Sequence, residues 1–303
     1  VGNEALKNLG SAGNSNLNTG LGHAAGRCVQ NACNNTFLGS YTGSDKVVCG
    51  NNNVAIGKDS GRNITSGQGN FFGGYAAGGC QEVTGGTNIA IGMLAGRCID
   101  SGSNNIFIGC QSAIGDVSGS QNVFLGRKAG RYLTTGTENI AIGCAALGTA
   151  TVTGQQNIAI GKNAGTDITS GGYNILFGRN AAQGMTTGGS NIAMGTGTLG
   201  GDTAATTTGH GNVTIGNLTA VAATSACCNV IIGYAAGRCI NTAQQNVYLG
   251  RYAGHNTTSG SNNVLVGRTS GCKLTTQTGN IGIGQCTLQN LCQTGGINEG
   301  CYN

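Results

Sequence analysis

Gly161 and Lys162, inside the run QNIAIGKNAG (156–165), come nearest in type and order to phosphate chemistry. A phosphate-binding loop needs G-x-x-x-x-G-K-[ST], so that backbone N–H groups cradle the phosphates and a hydroxyl reaches the metal. Here Gly154 stands seven positions before Gly161, two too far, and Asn163 occupies the hydroxyl position. The remaining chemistry-bearing residues are sparse. The chain holds 10 acidic residues and 3 His, and its carboxylates do not recur at one position in neighbouring segments, as a pair cutting polysaccharide would require. The 14 Cys show neither C-x-x-C nor C-x-x-C-H spacing, which leaves zinc and haem without a ligand set. The sequence therefore predicts no enzyme, no metal and no cofactor. Disulfides are the favoured use of the cysteines, which points to an oxidising, extracellular setting.

Composition narrows the class. Of 303 residues 59 are Gly and none is Pro or Trp, while only 8% are charged; ordinary domains hold about 7% Gly and about 25% charged residues. Collagen is excluded, because Gly does not fall at every third position. Disorder is excluded too, because the 38% of residues that are hydrophobic are placed periodically. A formal charge of +5 from dispersed basic residues lacks the dense stripe of a nucleic-acid binder. No run of about 18 apolar residues marks a membrane helix. The start at Val1 suggests a processed chain or an excerpt of a longer one.

What must position these residues is a repeat. The motif N-h-x-h-G, with h apolar, begins at sixteen Asn residues: 18, 35, 53, 70, 88, 105, 122, 139, 157, 174, 191, 212, 229, 246, 263 and 280. The steps are 17 or 18 residues, with one of 21 whose extra residues lie in DTAATTTGHG (202–211). With Asn as position 0, position +4 is Gly in every copy, +3 is a large apolar residue in all but Gly73, and +7 is always Ala, Ser or Thr.

A period this short suits one coil of a parallel β-solenoid, since helix-pair repeats need about 33 residues. The fold class is thus all-β, a β-roll of about 16 coils. The expected domain is a single solenoid over 1–303, with a partial coil at 1–17, sixteen repeats over 18–297 and a partial coil at 298–303. At about 4.8 Å per coil it would extend on the order of 80 Å. Segments such as IAI, VFL and VYL read as short strands, and the following glycine turns the chain because it accepts positive φ. Stacked Asn side chains can each donate to and accept from the next, satisfying polar groups at a bend. A structural ladder is therefore expected at Asn35, Asn53, Asn70, Asn88, Asn105, Asn122, Asn139, Asn157, Asn174, Asn191, Asn229, Asn246, Asn263 and Asn280.

Strand alternation puts +1 and +3 on one face and +2 on the other. Pairs such as Ile89 with Ile91 and Ile140 with Ile142 read as the interior. Position +2 is apolar as well, at Phe37, Phe72, Phe107, Phe124, Leu176, Ile231, Tyr248 and Leu265. On this reading those residues form an outer interface to identical chains; the alternative makes +2 a second interior face. Basic residues gather at +5 (Lys58, Arg127, Lys162, Arg179, Arg251, Arg268) and at +9, where a solvated edge is the plain interpretation. Cys80 and Cys98 share +10 in adjacent coils, close enough for a disulfide. Neither terminal segment reads as a polar cap, so continuation into further domains or head-to-tail stacking is expected. Asn63, Asn217 and Asn256 head glycosylation sequons.

NIAIGMLAG (88–96) and NVAIGKDSG (53–61) resemble the head repeats of trimeric autotransporter adhesins. NVFLGRKAGRYLTTGTENIAIG (122–143) resembles repeats of tail-fibre-type proteins. The resemblance spans about Asn18 to Gly284 and implies a parallel β-roll, commonly trimeric, in surface fibres that adhere to cells or matrix. Coil length and cysteine content depart from the adhesin heads. The favoured function is a non-enzymatic extracellular structural or adhesive fibre whose partners are identical chains, as trimer or filament, with cell-surface or matrix ligands. The alternatives are a virion tail-fibre shaft and, lower, an ice-binding solenoid, against which Thr134-Thr135 and Thr257-Thr258 fall out of register.

Overall fold

A computed structural model describes residues 2–8, 15–201 and 206–289. The expected partial coil at 298–303, much of that at 1–17 and the centre of the insertion at 202–205 lie outside them. The chain is an all-β parallel β-solenoid of about 15–16 coils with about 17 residues per turn. It divides into two compact units, Val1–Thr153 and Gly154–Asn303.

In the first unit eight three-residue strands run from Thr19–Leu21 to Ile140–Ile142. In the second, eight run from Ile158–Ile160 to Ile281–Ile283. Within each unit every strand pairs in parallel with its counterpart one coil on, residue against repeat mate, as in Ile89↔Ile106, Ala90↔Phe107 and Ile91↔Ile108. A second contact line is marked by Cys98–Ile99 paired with Asp116–Val117 and by bridges such as Val29↔Val48 and Ile64↔Val83.

The turns are as regular as the strands. Positions −1, +4, +6 and +8 take positive φ in coil after coil; around Asn105 these are Asn104 (φ 59), Gly109 (φ 135), Gln111 (φ 59) and Ala113 (φ 48). Only +4 is confined to glycine, and for two reasons. Its φ lies outside the small left-handed well that other residues reach, and a Cβ added at Gly109 would stand 2.5 Å from the carbonyl oxygen of Gly126. The other turn positions sit near φ 50–60, where an L-residue loses roughly 1–2 kcal/mol that inter-coil hydrogen bonding offsets.

The interior is the reverse of the expected one. Position +2 fills the coil: Phe37, Phe72, Phe107, Phe124, Leu176, Ile231, Tyr248 and Leu265 are all buried within their own chain, as are Ala55, Ala90, Ala141, Ala159 and Ala193. These eight large residues are not an oligomer interface. Position +7 and the bridge column (Val29, Val48, Ile64, Val83, Ile99, Val117, Leu133, Val152 in the first unit) complete the core. The physical reason is volume. A coil this narrow admits one side chain from each three-residue strand, and +2 is the central one.

Packing is fitted coil by coil. A Cβ on Gly130 at +8 would meet the Phe124 ring at 2.0 Å, and one on Gly43 would meet Phe37 at 2.5 Å. In three coils with a small +2 residue, +8 is large: Leu147 stands in the coil of Ala141, Leu199 in that of Ala193, and Leu288 packs toward Gly282, whereas the coils of Ala55, Ala90 and Ala159 keep glycine at +8. The buried +7 hydroxyls find carbonyls, as Ser60 Oγ donates to Phe72 O at 2.9 Å.

The Asn column forms the expected ladder and more. Asn53 Nδ2 donates to Asn35 Oδ1 at 3.1 Å and to Gly67 O at 2.8 Å, while its backbone N–H reaches the same Asn35 Oδ1 at 2.8 Å. The pattern continues through Asn70, Asn88, Asn105, Asn122 and Asn139 in the first unit. In the second it runs from Asn157 through Asn174, Asn191, Asn212, Asn229, Asn246 and Asn263 to Asn280. Each amide thus ties side chain to side chain and also to the backbone of the following turn.

Candidate interaction face

Putting +2 inside turns +1 and +3 outward. Fourteen of the sixteen +1 residues and fifteen of the sixteen +3 residues are large and apolar, the exceptions being Thr19, Thr36 and Gly73. Repeat mates stand side by side in the strand ladder, so each unit carries two parallel apolar columns on its outer sheet face. Stacked neighbours shield them only in part: Ile91 and Ile56 are 39% exposed and Phe177 52%. The apolar outer strand face thus lies at +1 and +3, not at the expected +2. Charge is kept off it. The basic +5 residues, Lys58, Arg127, Lys162, Arg179, Arg251 and Arg268, are all exposed just beyond the +4 turn.

Cys80 and Cys98 are aligned as expected, with Cys80 N–H donating to Arg97 O at 2.7 Å. Both thiols are free in this structure, Cys80 exposed and Cys98 buried, and the two lie within hydrogen-bonding reach of each other. Burial first, and the Cys80 thiol second, push the Cys98 thiol up to about 12. Among the sequons, Asn217 and Asn256 are exposed, whereas Asn63 Nδ2 is engaged with the carbonyls of Gly79 and Cys80.

Two groupings escaped the sequence reading. Tyr252, His255, Asn256, Thr269 and Cys272 line an open pocket of about 280 Å³. Tyr252 packs edge-on against both Tyr234 and His255, and the Arg251 guanidinium lies 4.9 Å from the Tyr252 ring centre. Such a wall offers ring faces and a cation to a planar or ring-bearing ligand. The second grouping brings His210, Cys227 and Cys228 together. No metal-binding spacing announces it, because its partners meet across one coil step; the shared position −2 of His210 and Cys227 was the legible signal.

No helix among the described residues is long and apolar enough to cross a membrane. No protein-family model matches the chain, and no curated protein matches it as a relative. Fold and face together define a β-solenoid repeat protein with an uncovered apolar sheet surface.

Proposed function

We propose that the chain is a non-enzymatic structural or adhesive component of an extracellular fibre, in which identical copies associate laterally through the outward +1 and +3 columns. The observation that supports this reading is a parallel strand array apolar on both faces with only one face covered by its own coil. Parallel sheets are normally buried on both sides, and an extended apolar patch marks an interface. A second copy is the occupant the geometry favours. Its columns repeat at the same rung spacing, so side chains of one copy fit between those of the other along the face. Eight three-residue strands span about 38 by 10 Å per unit, an extended apolar strip that a second copy would cover. The resemblance to surface-fibre repeats supports the extracellular setting; a virion fibre shaft is the same architecture in another host context.

The test is Ile56→Lys with Ile91→Lys, which places two cations on the outer face without touching the core. Sedimentation velocity should show the parent chain as an assembly and the variant as monomer, with equal circular dichroism. A parent chain that stays monomeric at high concentration overturns the proposal.

One observation favours ice binding as the second reading. Positions −5 and −4 keep register in six coils of the second unit, Thr169-Ser170, Thr186-Thr187, Thr224-Ser225, Asn241-Thr242, Thr258-Ser259 and Thr275-Thr276, while at Thr207-Thr208 the −5 residue is buried opposite Met185. This corrects the sequence reading, in which Thr257 was set beside Thr258 as a misaligned pair; Thr257 is buried one position earlier. Several of the −5 hydroxyls are already donated to the next coil, as Thr169 Oγ1 to Thr186 O at 3.2 Å and Thr258 Oγ1 to Thr275 O at 3.2 Å, which weakens the case. A thermal-hysteresis measurement separates the two.

A further inference from the structure

We propose that His210, Cys227 and Cys228 form a binding site for a thiophilic cation, zinc being the fitting ion, that clips two successive coils together. One imidazole nitrogen and two sulfurs lie within 4.8 Å of one another. In a tetrahedral zinc site, with Zn–S about 2.3 Å and Zn–N about 2.0–2.1 Å, ligand atoms stand about 3.5–3.8 Å apart. Small side-chain rotations therefore close the set, and a fourth position stays open to solvent.

The backbone holds these residues in place. His210 and Cys227 are both at −2 in adjacent coils, and the Cys228 N–H donates to His210 O at 3.0 Å. Cys227 O accepts from Gln245 N–H at 3.2 Å and from Asn229 Nδ2 at 2.9 Å. Consecutive residues of a strand point to opposite faces. Cys228 instead takes φ 61, which breaks the alternation and brings its thiol within hydrogen-bonding reach of the Cys227 thiol. His210 and Cys228 are exposed and Cys227 is half-buried, so an ion can enter.

The donor set selects the ion. Two thiolates and an imidazole suit zinc or another soft, filled-shell cation, whereas calcium and magnesium require oxygen. The −2/−1 pairs of the following coils, Gln244-Gln245 and Ser261-Asn262, carry no sulfur, so the solenoid itself does not demand thiols here. The location supplies a purpose. The ladder bond from Asn212 to Asn191 spans 21 residues, the longest coil step, and longer loops lose more entropy on closure. An ion fixing the next coil to this one, and bound only by the folded chain, stabilises the junction by linkage. This site does not depend on the fibre reading.

The experiment uses the full chain, fully reduced, with zinc alone as probe, competed against a chromogenic chelator, and with cobalt(II) as a spectroscopic substitute. The parent should bind one equivalent that Cys227→Ser/Cys228→Ser lacks, show thiolate-to-cobalt charge transfer, and gain thermal stability with zinc. Cys80→Ser/Cys98→Ser should retain that equivalent. His210→Ala, at an exposed position, keeps the test open if the double serine variant does not fold; it should weaken zinc binding while leaving circular dichroism unchanged. Undiminished zinc binding in Cys227→Ser/Cys228→Ser or His210→Ala, or its loss in Cys80→Ser/Cys98→Ser instead, overturns the proposal.

Discussion

Asn105 directs two donors at one oxygen of its neighbour: its backbone N–H and its Nδ2 each reach Asn88 Oδ1 at 3.0 Å. The same side chain bonds Gly119 O at 3.0 Å and accepts both donors of Asn122. Replacing it by Ala strands several buried polar groups at once, each worth about 1–3 kcal/mol when left unpaired. Asn105→Ala should lower the unfolding free energy by about 3–6 kcal/mol on that basis, measured by urea denaturation. A loss below about 1 kcal/mol would mean that the ladder contributes little net stability.

Gly109 and Gly279 both take positive φ, yet they should respond differently to a methyl group. At Gly109 the new Cβ meets the Gly126 carbonyl oxygen at 2.5 Å, whereas at Gly279 (φ 72) nothing lies within 4 Å. Gly279→Ala should cost about 1–2 kcal/mol, the ordinary penalty of the left-handed region. Gly109→Ala should cost several times more or prevent folding, because two backbones must separate. Equal thermal shifts for the two variants would show that conformation alone, not close approach, selects glycine at +4.

Tyr248 is fully buried, and neither its hydroxyl nor that of Thr257 has a well-formed hydrogen bond. Other coils place Phe at this position. Tyr248→Phe should therefore raise stability by about 1 kcal/mol, the desolvation cost of an unpaired hydroxyl. A destabilised variant would reveal a partner for that oxygen.

Alkali should weaken the fold through two buried acids. Burial pushes the Cys98 thiol, ordinarily 9.0, and the Tyr248 phenol, ordinarily 10.0, each up to about 12. The folded chain thus holds protons that the unfolded chain releases, so their contribution is complete below about pH 9 and is lost as pH climbs toward 12. Denaturation midpoints under reducing conditions should fall across that window. Cys98→Ser/Tyr248→Phe should flatten the fall, and an unchanged slope would assign it to other groups.

The repeat, its strand segments, the Asn ladder and the glycine turns were legible because each is a position that tolerates almost one residue type. Inside and outside were not, since most strands are apolar on both faces and alternation alone has no sign. The decisive signal lay in size. Phe37, Ala55, Phe72, Ala90 and Phe107 alternate large and small down one column, as a confined space demands and a surface does not. The pairing of Ala141 with Leu147 and of Ala193 with Leu199 repeats the message within a coil. The His210–Cys227–Cys228 grouping was hidden by the coil step, which brings distant residues together across 17 positions. The aromatic pocket at Tyr252 was unread because no repeat position marks it.

The ladder also has a direction. Along the strands, backbone donors alternate: Ile89 N–H points to Asn105 of the next coil, while Gly109 N–H points back to Ile91, so their dipoles largely cancel. The Asn side-chain oxygens, by contrast, share one sense: each faces the following coil and accepts from its Asn, while Nδ2 donates both backward to an Asn oxygen and forward to a turn carbonyl. Amide vectors aligned in this way sum as they do along a helix. Each unit is therefore electrically polarised from its first coil to its last, and its two faces across that axis are chemically distinct surfaces for whatever approaches them.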